Sequence, residues 1–217
     1  CVIWHDDTVE RLTGVKGLVS DKTYKELMTV DAGNMFTMDN GKTYPFRGKG
    51  VTIATLDEVL RKNPNMRFNV DLKDDNIELI KEFARVVRRN NAQDRVLGAS
   101  FHNSIIKSIR KIIPEIASSF SRSEIRSIVI LDKIGLLGFR GKFSANAAQV
   151  PEYDNKIKVI TKSFIKNLHK KGVMVHVWTV NKKAEMLRFQ SMGVDAIMTD
   201  NPRLLIETVN ELEEVRK

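Results

Sequence analysis

Three features of the sequence predict an α/β protein in which a parallel sheet is covered by helices, closed as a (β/α)8 barrel. Short apolar runs of strand length alternate with longer stretches whose apolar residues recur at helical spacing. A chain of 217 residues that is 42% hydrophobic has enough apolar side chains for a sizeable core. The third feature selects among parallel sheets. A doubly wound open sheet usually carries a glycine-rich phosphate loop after its first strand, and neither GxGxxG nor GxxxxGK[ST] occurs. Instead, run after run ends in residues with chemistry: His5-Asp6, Asp71-Leu72-Lys73, Ser100-Phe101-His102, Gln149, Trp178-Thr179-Val180-Asn181 and Thr199-Asp200. Active residues at the carboxyl ends of successive strands are the layout of a barrel.

Taken in order, strands are expected at 2–5, 67–72, 96–101, 116–120, 145–150, 173–178 and 194–198. The helix at 56–62 is short. That at 77–90 gathers Ile77, Ile80, Phe83, Ala84 and Val87 on one face, and that at 104–113 carries Ile105, Ile109 and Ile112. Further helices are expected at 123–137, 161–171, 182–192 and 202–215. The last has a strong start signal, because Pro202 suits a first helical turn and follows the capping residues Asp200 and Asn201. Residues 7–53 differ in kind. They hold Gly14, Gly17, Gly33, Gly41, Gly48 and Gly50 with only short helical pieces such as 23–27, and read as one large insertion after a strand.

Composition narrows the function classes. No run approaches the roughly 18 apolar residues of a membrane span and no secretory leader opens the chain, so a soluble protein is expected, cytoplasmic or peripheral to a membrane. A single cysteine, Cys1, makes no internal disulfide and no zinc site. The net charge of +9 favours anionic partners, but the basic residues are spread over several helix-like stretches without a nucleic-acid signature, so no nucleic acid is expected. Oligomeric state has no signal. Segment 120–143 mixes Ile125, Ile128, Val129, Ile130, Leu131, Ile134, Leu136, Leu137 and Phe139 with Arg122, Arg126, Lys133, Arg140 and Lys142. Burial of one face in an outer helical layer is the plainer reading; peripheral membrane contact through a basic apolar lip is the other.

Among candidate site residues, His5 at a strand end can serve as general acid or base, with Asp6 and Asp7 orienting it or reaching a metal. Asp71 and Lys73, two apart in a strand, share a face, and inside a barrel their charges are tolerable only if they pair or serve a ligand. Asp71 suits a divalent cation and Lys73 a phosphate oxygen; a structural ion pair is the plain alternative. Lys73, Phe101, Gln149 and Trp178 are the candidate substrate-binding residues. His176, deeper on the strand that ends in Trp178, reads as a satisfied core histidine, and His169 as solvated.

These residues carry a resemblance. His5-Asp6-Asp7-Thr8, Arg11-Leu12-Thr13-Gly14, Val19-Ser20-Asp21 with Leu27, Thr55-Leu56-Asp57-Glu58-Val59-Leu60, Asn69-Val70-Asp71-Leu72-Lys73, Trp178-Thr179-Val180-Asn181 and Gly193-Val194-Asp195-Ala196-Ile197-Met198-Thr199-Asp200-Asn201-Pro202 occur in the order seen in the glycerophosphodiester phosphodiesterase family, which the chain resembles over its whole length. The resemblance implies a (β/α)8 barrel that hydrolyses glycerophosphodiesters with a divalent cation, Ca2+ or Mg2+, and two histidines. It implies His5 as a catalytic histidine, Asp71 as a metal ligand where the family often has Glu, Lys73 as the active-site lysine and Trp178 as the pocket aromatic. The family's first histidine and two metal-binding carboxylates would precede His5. The chain is therefore expected to be one domain, 1–217, that lacks the first strand, first helix and most of the second strand, carries the family insertion at 7–53, and is inactive or nearly so alone. Two alternatives stand beside hydrolysis of water-soluble glycerophosphodiesters: lysophospholipase D-type action on lysophospholipids at a membrane surface, and an inactive barrel serving as a binding module.

Overall fold

The structure, a computed structural model, describes residues 1–215. The chain forms two compact units, one of Cys1–Met66 with Arg85–Ala92, the other of Arg67–Ala84 and the residues from Gln93 onward.

The first unit holds three short helices: α1 (Glu10–Thr13), α2 (Tyr24–Leu27) and α3 (Leu56–Lys62). Their termini are set by local chemistry. Gly14 takes a left-handed φ of 75° and stops α1. Thr23 with Glu26, and Thr55 with Glu58, form capping boxes that start α2 and α3. Val9, Leu27 and Ile53 are buried together, with Val2, Trp4, Val19, Val30 and Ala32 packed around them. Gly33 is required by crowding, since a Cβ there would lie 2.7 Å from the Cβ and carbonyl oxygen of Phe46. The expected strand at 2–5 is corrected. Val2 makes an isolated antiparallel bridge with Thr55, Ile3 N–H donates to the Ala54 carbonyl and Leu56 N–H to that of Cys1. The extended backbone just before α3 satisfies this run locally.

The second unit contains β1 (Phe68–Asp71), most of α4 (Ile77–Arg89), β2 (Val96–Ala99), α5 (Asn103–Ile112), β3 (Ala117–Ser118) and α6 (Arg122–Lys133). A 3-10 turn, Leu137–Phe139, leads to β4 (Ala147–Val150), then β5 (Tyr153–Asp154), β6 (Ile157–Lys158), α7 (Lys162–His169), β7 (Met174–Val177), α8 (Lys183–Met192), β8 (Ala196–Ile197) and α9 (Pro202–Val215). β1, β2 and β3 pair in parallel, as do β4, β7 and β8. A parallel bridge between Ser119 and Ala147, with Asn146 N–H donating to Ser118 and Phe120 N–H to Ala147, joins the two sets. Six parallel strands thus lie side by side in chain order.

Side chains show that this sheet is strongly curved. β1 and β4 are three strand spacings apart, about 14 Å if the sheet were flat, yet Gln149 on β4 donates to Asn69 on β1 at 2.9 Å. Phe101 after β2 and Trp178 after β7, again three spacings apart, bring their ring centroids to 6.1 Å. The sheet is an arc whose concave face carries polar and aromatic groups and whose convex face is covered by helices. Ile105, Ile106 and Ile109 of α5 are buried, and Gly98 of β2 gives them room: a Cβ there would meet Ile109 and Ile116 at 3.2 Å. Phe164, Ile165, Leu168, Phe189, Ile128 and Leu137 close the core beyond β4 and β7.

Several boundaries shift from expectation. The helix expected over 123–137 ends at Lys133 because Gly135 turns left-handed, φ 73°, before the 3-10 turn. The β5–β6 hairpin is an addition to the expected elements; Asn155 at φ 53° makes its turn. Among the described residues no helix is long and apolar enough to cross a membrane.

Candidate active site

Strand alternation builds the centre. Asn69, Asp71 and Lys73 follow one side of the chain, while Leu72 between them is buried. Lys73 Nζ reaches Asp71 Oδ2 at 2.7 Å, with 38% and 30% of the two side chains exposed. The pair expected inside a barrel is therefore open to water, which removes most of the desolvation cost of two buried charges. Ser100 Oγ donates to the Leu72 carbonyl at 2.8 Å and accepts from His102 N–H at 3.2 Å, so the end of β2 fixes the backbone between Asp71 and Lys73.

The Gln149 amide nitrogen donates to Asn69 Oδ1 at 2.9 Å and lies 3.3 Å from His176 Nδ1. A neutral His176 accepts this bond on Nδ1 and carries its proton on Nε2. Burial lowers the His176 pKa, and Asp195 partly offsets the shift. His176 is thus the satisfied core histidine the sequence suggests. Asn69 joins the site in addition to the expected residues; its place two before Asp71, on the same side of the strand, is the sequence signal for it. Phe101, 53% exposed, meets Trp178 edge to face, and the peptide bond after Trp178 is cis. Beyond β8, Asn181 Oδ1 accepts from Thr199 Oγ1 and Asp200 N–H while its amide donates to Asp200 Oδ2, so the loops after β7 and β8 hold each other. His169 is solvated as expected, its side chain 41% exposed, and it also bonds Asp195 Oδ2 at 2.8 Å, the same oxygen that accepts from Val175 N–H.

In the first unit, His5 Nδ1 lies 2.7 Å from Asp6 Oδ1, and Arg11 grips Asp6 through Nε at 2.6 Å and a second nitrogen at 3.1 Å. The bonds from Arg11 and then His5 hold the Asp6 carboxyl at about 2. An ionised carboxylate only accepts, so Nδ1 of His5 is the donor in this bond, and in the neutral form of the ring Nε2 is the bare nitrogen. The imidazole is 81% exposed.

Comparison with known proteins decides the family. The sequence model of the glycerophosphoryl diester phosphodiesterase family matches residues 1–204. The chain belongs to that family. A glycerophosphodiester phosphodiesterase of Caldanaerobacter subterraneus is 29% identical over 97% of the chain and 80% of the relative, and human lysophospholipase D GDPD1 is 27% identical over 94% and 71%. The glycerophosphoryl diester phosphodiesterase domain of a Mycobacterium tuberculosis protein superimposes with a TM-score of 0.81 at 18% identity, covering 97% of this chain and 82% of that one. An Oleispira antarctica phosphodiesterase, solved with the product sn-glycerol-3-phosphate, gives 0.70 at 23% identity, covering 96% and 79%. The α/β fold of the family is therefore that of the chain, and the chain is an enzyme of the phosphoric diester hydrolase class.

A divalent cation needs more oxygen ligands than the strand end offers. Ca2+ takes six to eight oxygens and Mg2+ six. Among the described residues no three His, Cys, Asp or Glu side chains cluster to hold a metal, and Asp71 is already paired with Lys73. Asp71 offers one ligand; the described residues do not complete a cation site.

Proposed function

We propose, against the expectation that the chain is inactive alone, that it hydrolyses glycerophosphodiesters to an alcohol and glycerol phosphate, with the substrate phosphate bound at the Asp71–Lys73 strand end, because the acid–base imidazole of His5 and the Lys73 ammonium are both present and open to solvent. The observation that carries this reading is Lys73: an ammonium held by Asp71 at 2.7 Å and open to solvent, at the carboxyl end of a barrel-type strand. The six-stranded arc is read as part of the family's (β/α)8 barrel, and residues 7–53 as its insertion.

In the reaction, the oxygen of water bonds to phosphorus, the bond from phosphorus to the alcohol oxygen breaks, and the alcohol leaves with a proton. Lys73 pairs with a non-bridging oxygen as charge builds there, and Asp71 keeps the ammonium oriented. Trp178 and Phe101 wall the space beside the phosphate. Gln149 spends its two amide hydrogens on Asn69 and His176, leaving its carbonyl oxygen to accept from a glycerol hydroxyl. The acid–base role is given to His5 by sequence resemblance; with Nδ1 donating to Asp6, Nε2 is the nitrogen through which the ring exchanges a proton.

Phosphorus NMR of glycerophosphocholine incubated with the protein tests the reading. Glycerol phosphate and choline are expected. Release of phosphocholine instead, or no turnover above buffer, would overturn it. One observation favours a second substrate class: Ile130, Ile134, Leu136 and Phe139 stand exposed in the segment after β3. On that reading lysophosphatidylcholine is cleaved with a higher kcat/KM than glycerophosphocholine, and equal values would remove it.

A further inference from the structure

We infer that α6 and the 3-10 turn behind it form a docking surface for an anionic lipid bilayer. Helix α6 is apolar on two sides. Ile128 is buried and Ile125, Val129 and Leu131 pack against the core, so the segment has already met its burial requirement. A second apolar set remains in water: Ile130 is 61% exposed, Ile134 59%, Leu136 48% and Phe139 86%. Their order places Ile130 and Ile134 one turn apart on α6 and its end, with Leu136 and Phe139 flanking the 3-10 turn. Scattered exposed apolar residues are ordinary, but four within ten positions, running from the last turn of α6 into the 3-10 turn, are a patch of the kind that meets another phase.

The surrounding charge says which phase. Segments 122–143 and 162–171 carry nine Lys and Arg against two Asp and Glu. The two acids do not face outward as free charges. Glu124 is held by Arg110 at 2.7 Å, and the Asp132 side chain is 6% exposed. Arg126, Arg140 and Lys142 are exposed and, among the described residues, engage no carboxylate within 4 Å. Helix α7 adds to the field. Just beyond its end, Lys171 Nζ donates to the Gly138 carbonyl at 3.0 Å, inside the turn that presents Phe139, while Lys166 on the helix and Lys170 at its C-cap are exposed. Exposed apolar side chains interspersed along the chain with exposed cations that engage no carboxylate among the described residues match an interfacial element attracted to anionic headgroups. The surface stands on its own residues and holds whether or not the chain turns over a glycerophosphodiester.

Co-sedimentation with extruded vesicles tests it, using pure phosphatidylcholine against phosphatidylcholine mixed with phosphatidylserine. The full chain is expected to sediment with the anionic vesicles, to stay in solution with the neutral ones, and to be released as salt rises. The double variant Ile134→Ser with Phe139→Ser should lose at least about tenfold in partitioning, because both side chains are the apolar anchors. Arg126→Glu with Arg140→Glu should abolish the preference for phosphatidylserine. All four positions are exposed, and an unchanged circular dichroism melt confirms the variants fold. Anionic binding that neither double variant weakens, or no vesicle binding at low salt, overturns the inference. So does light scattering that shows a dimer broken by Phe139→Ser, which would give this face to a second copy of the chain.

Discussion

Replacing Gln149 by leucine removes two donors from the concave face while keeping nearly the same volume. Asn69 Oδ1 loses its 2.9 Å bond and His176 Nδ1 its 3.3 Å contact. Each hydrogen bond contributes about 0.5–1.5 kcal/mol net, so the pair is worth about 2 kcal/mol, with the larger share at His176 because the imidazole is buried. For a chain of this size that lowers the melting temperature by about 4–8 °C. Urea unfolding followed by circular dichroism measures the first quantity and a thermal scan the second. Nitrogen NMR adds a specific readout, since wild-type His176 should be the Nε2–H tautomer and the variant should mix tautomers. A Gln149→Leu protein as stable as wild type, with His176 unaltered, would show that the link between β1, β4 and β7 does not hold the arc.

Burial lowers the His176 pKa below its ordinary 6.5, so the unfolded chain binds the extra proton first. The stability that neutral His176 contributes is fully present above pH 6.5 and is lost as pH falls toward the folded value; a His176→Gln variant should flatten that part of a pH series of urea melts. Phe164 is fully buried, and Phe164→Ala should cost about 3–5 kcal/mol by calorimetry or urea unfolding. Asp6→Asn removes the carboxylate that keeps the His5 proton on Nδ1; hydrolysis should fall by about a hundredfold with the fold intact, as judged by circular dichroism. With Asp6 at about 2, no inflection of the rate profile above pH 4 should belong to that carboxyl.

The second unit was legible because its strands are apolar runs with few alternatives. Val96 and Leu97 are buried, as are Val175 and Val177, and the last helix announces itself by Pro202 at its start. The polar strand ends could also be read, because Asp71 and Lys73 two apart must share a side. What could not be read is three-dimensional. Whether that side is sealed or open depends on the curvature of the whole arc, and the structure leaves the pair about one-third exposed. Asn69 and Gln149 are 80 positions apart, so no local pattern couples them. His169 meets Asp195 across β7 and β8, again a partnership between distant segments. Residues 2–5 look like any buried strand, and only the neighbouring 52–55 backbone decides that they pair antiparallel.

The most direct measurement is the rate of glycerol phosphate release from glycerophosphocholine by the wild-type chain and by Lys73→Met, run side by side with melting curves that confirm equal folding. If the ammonium beside Asp71 carries the phosphoryl charge, kcat/KM falls by about 10^2 to 10^3-fold, the usual loss of one preorganised donor to a developing oxyanion. A Lys73→Met protein that hydrolyses the diester at the wild-type rate would move the phosphate site away from the end of β1 and contradict the account.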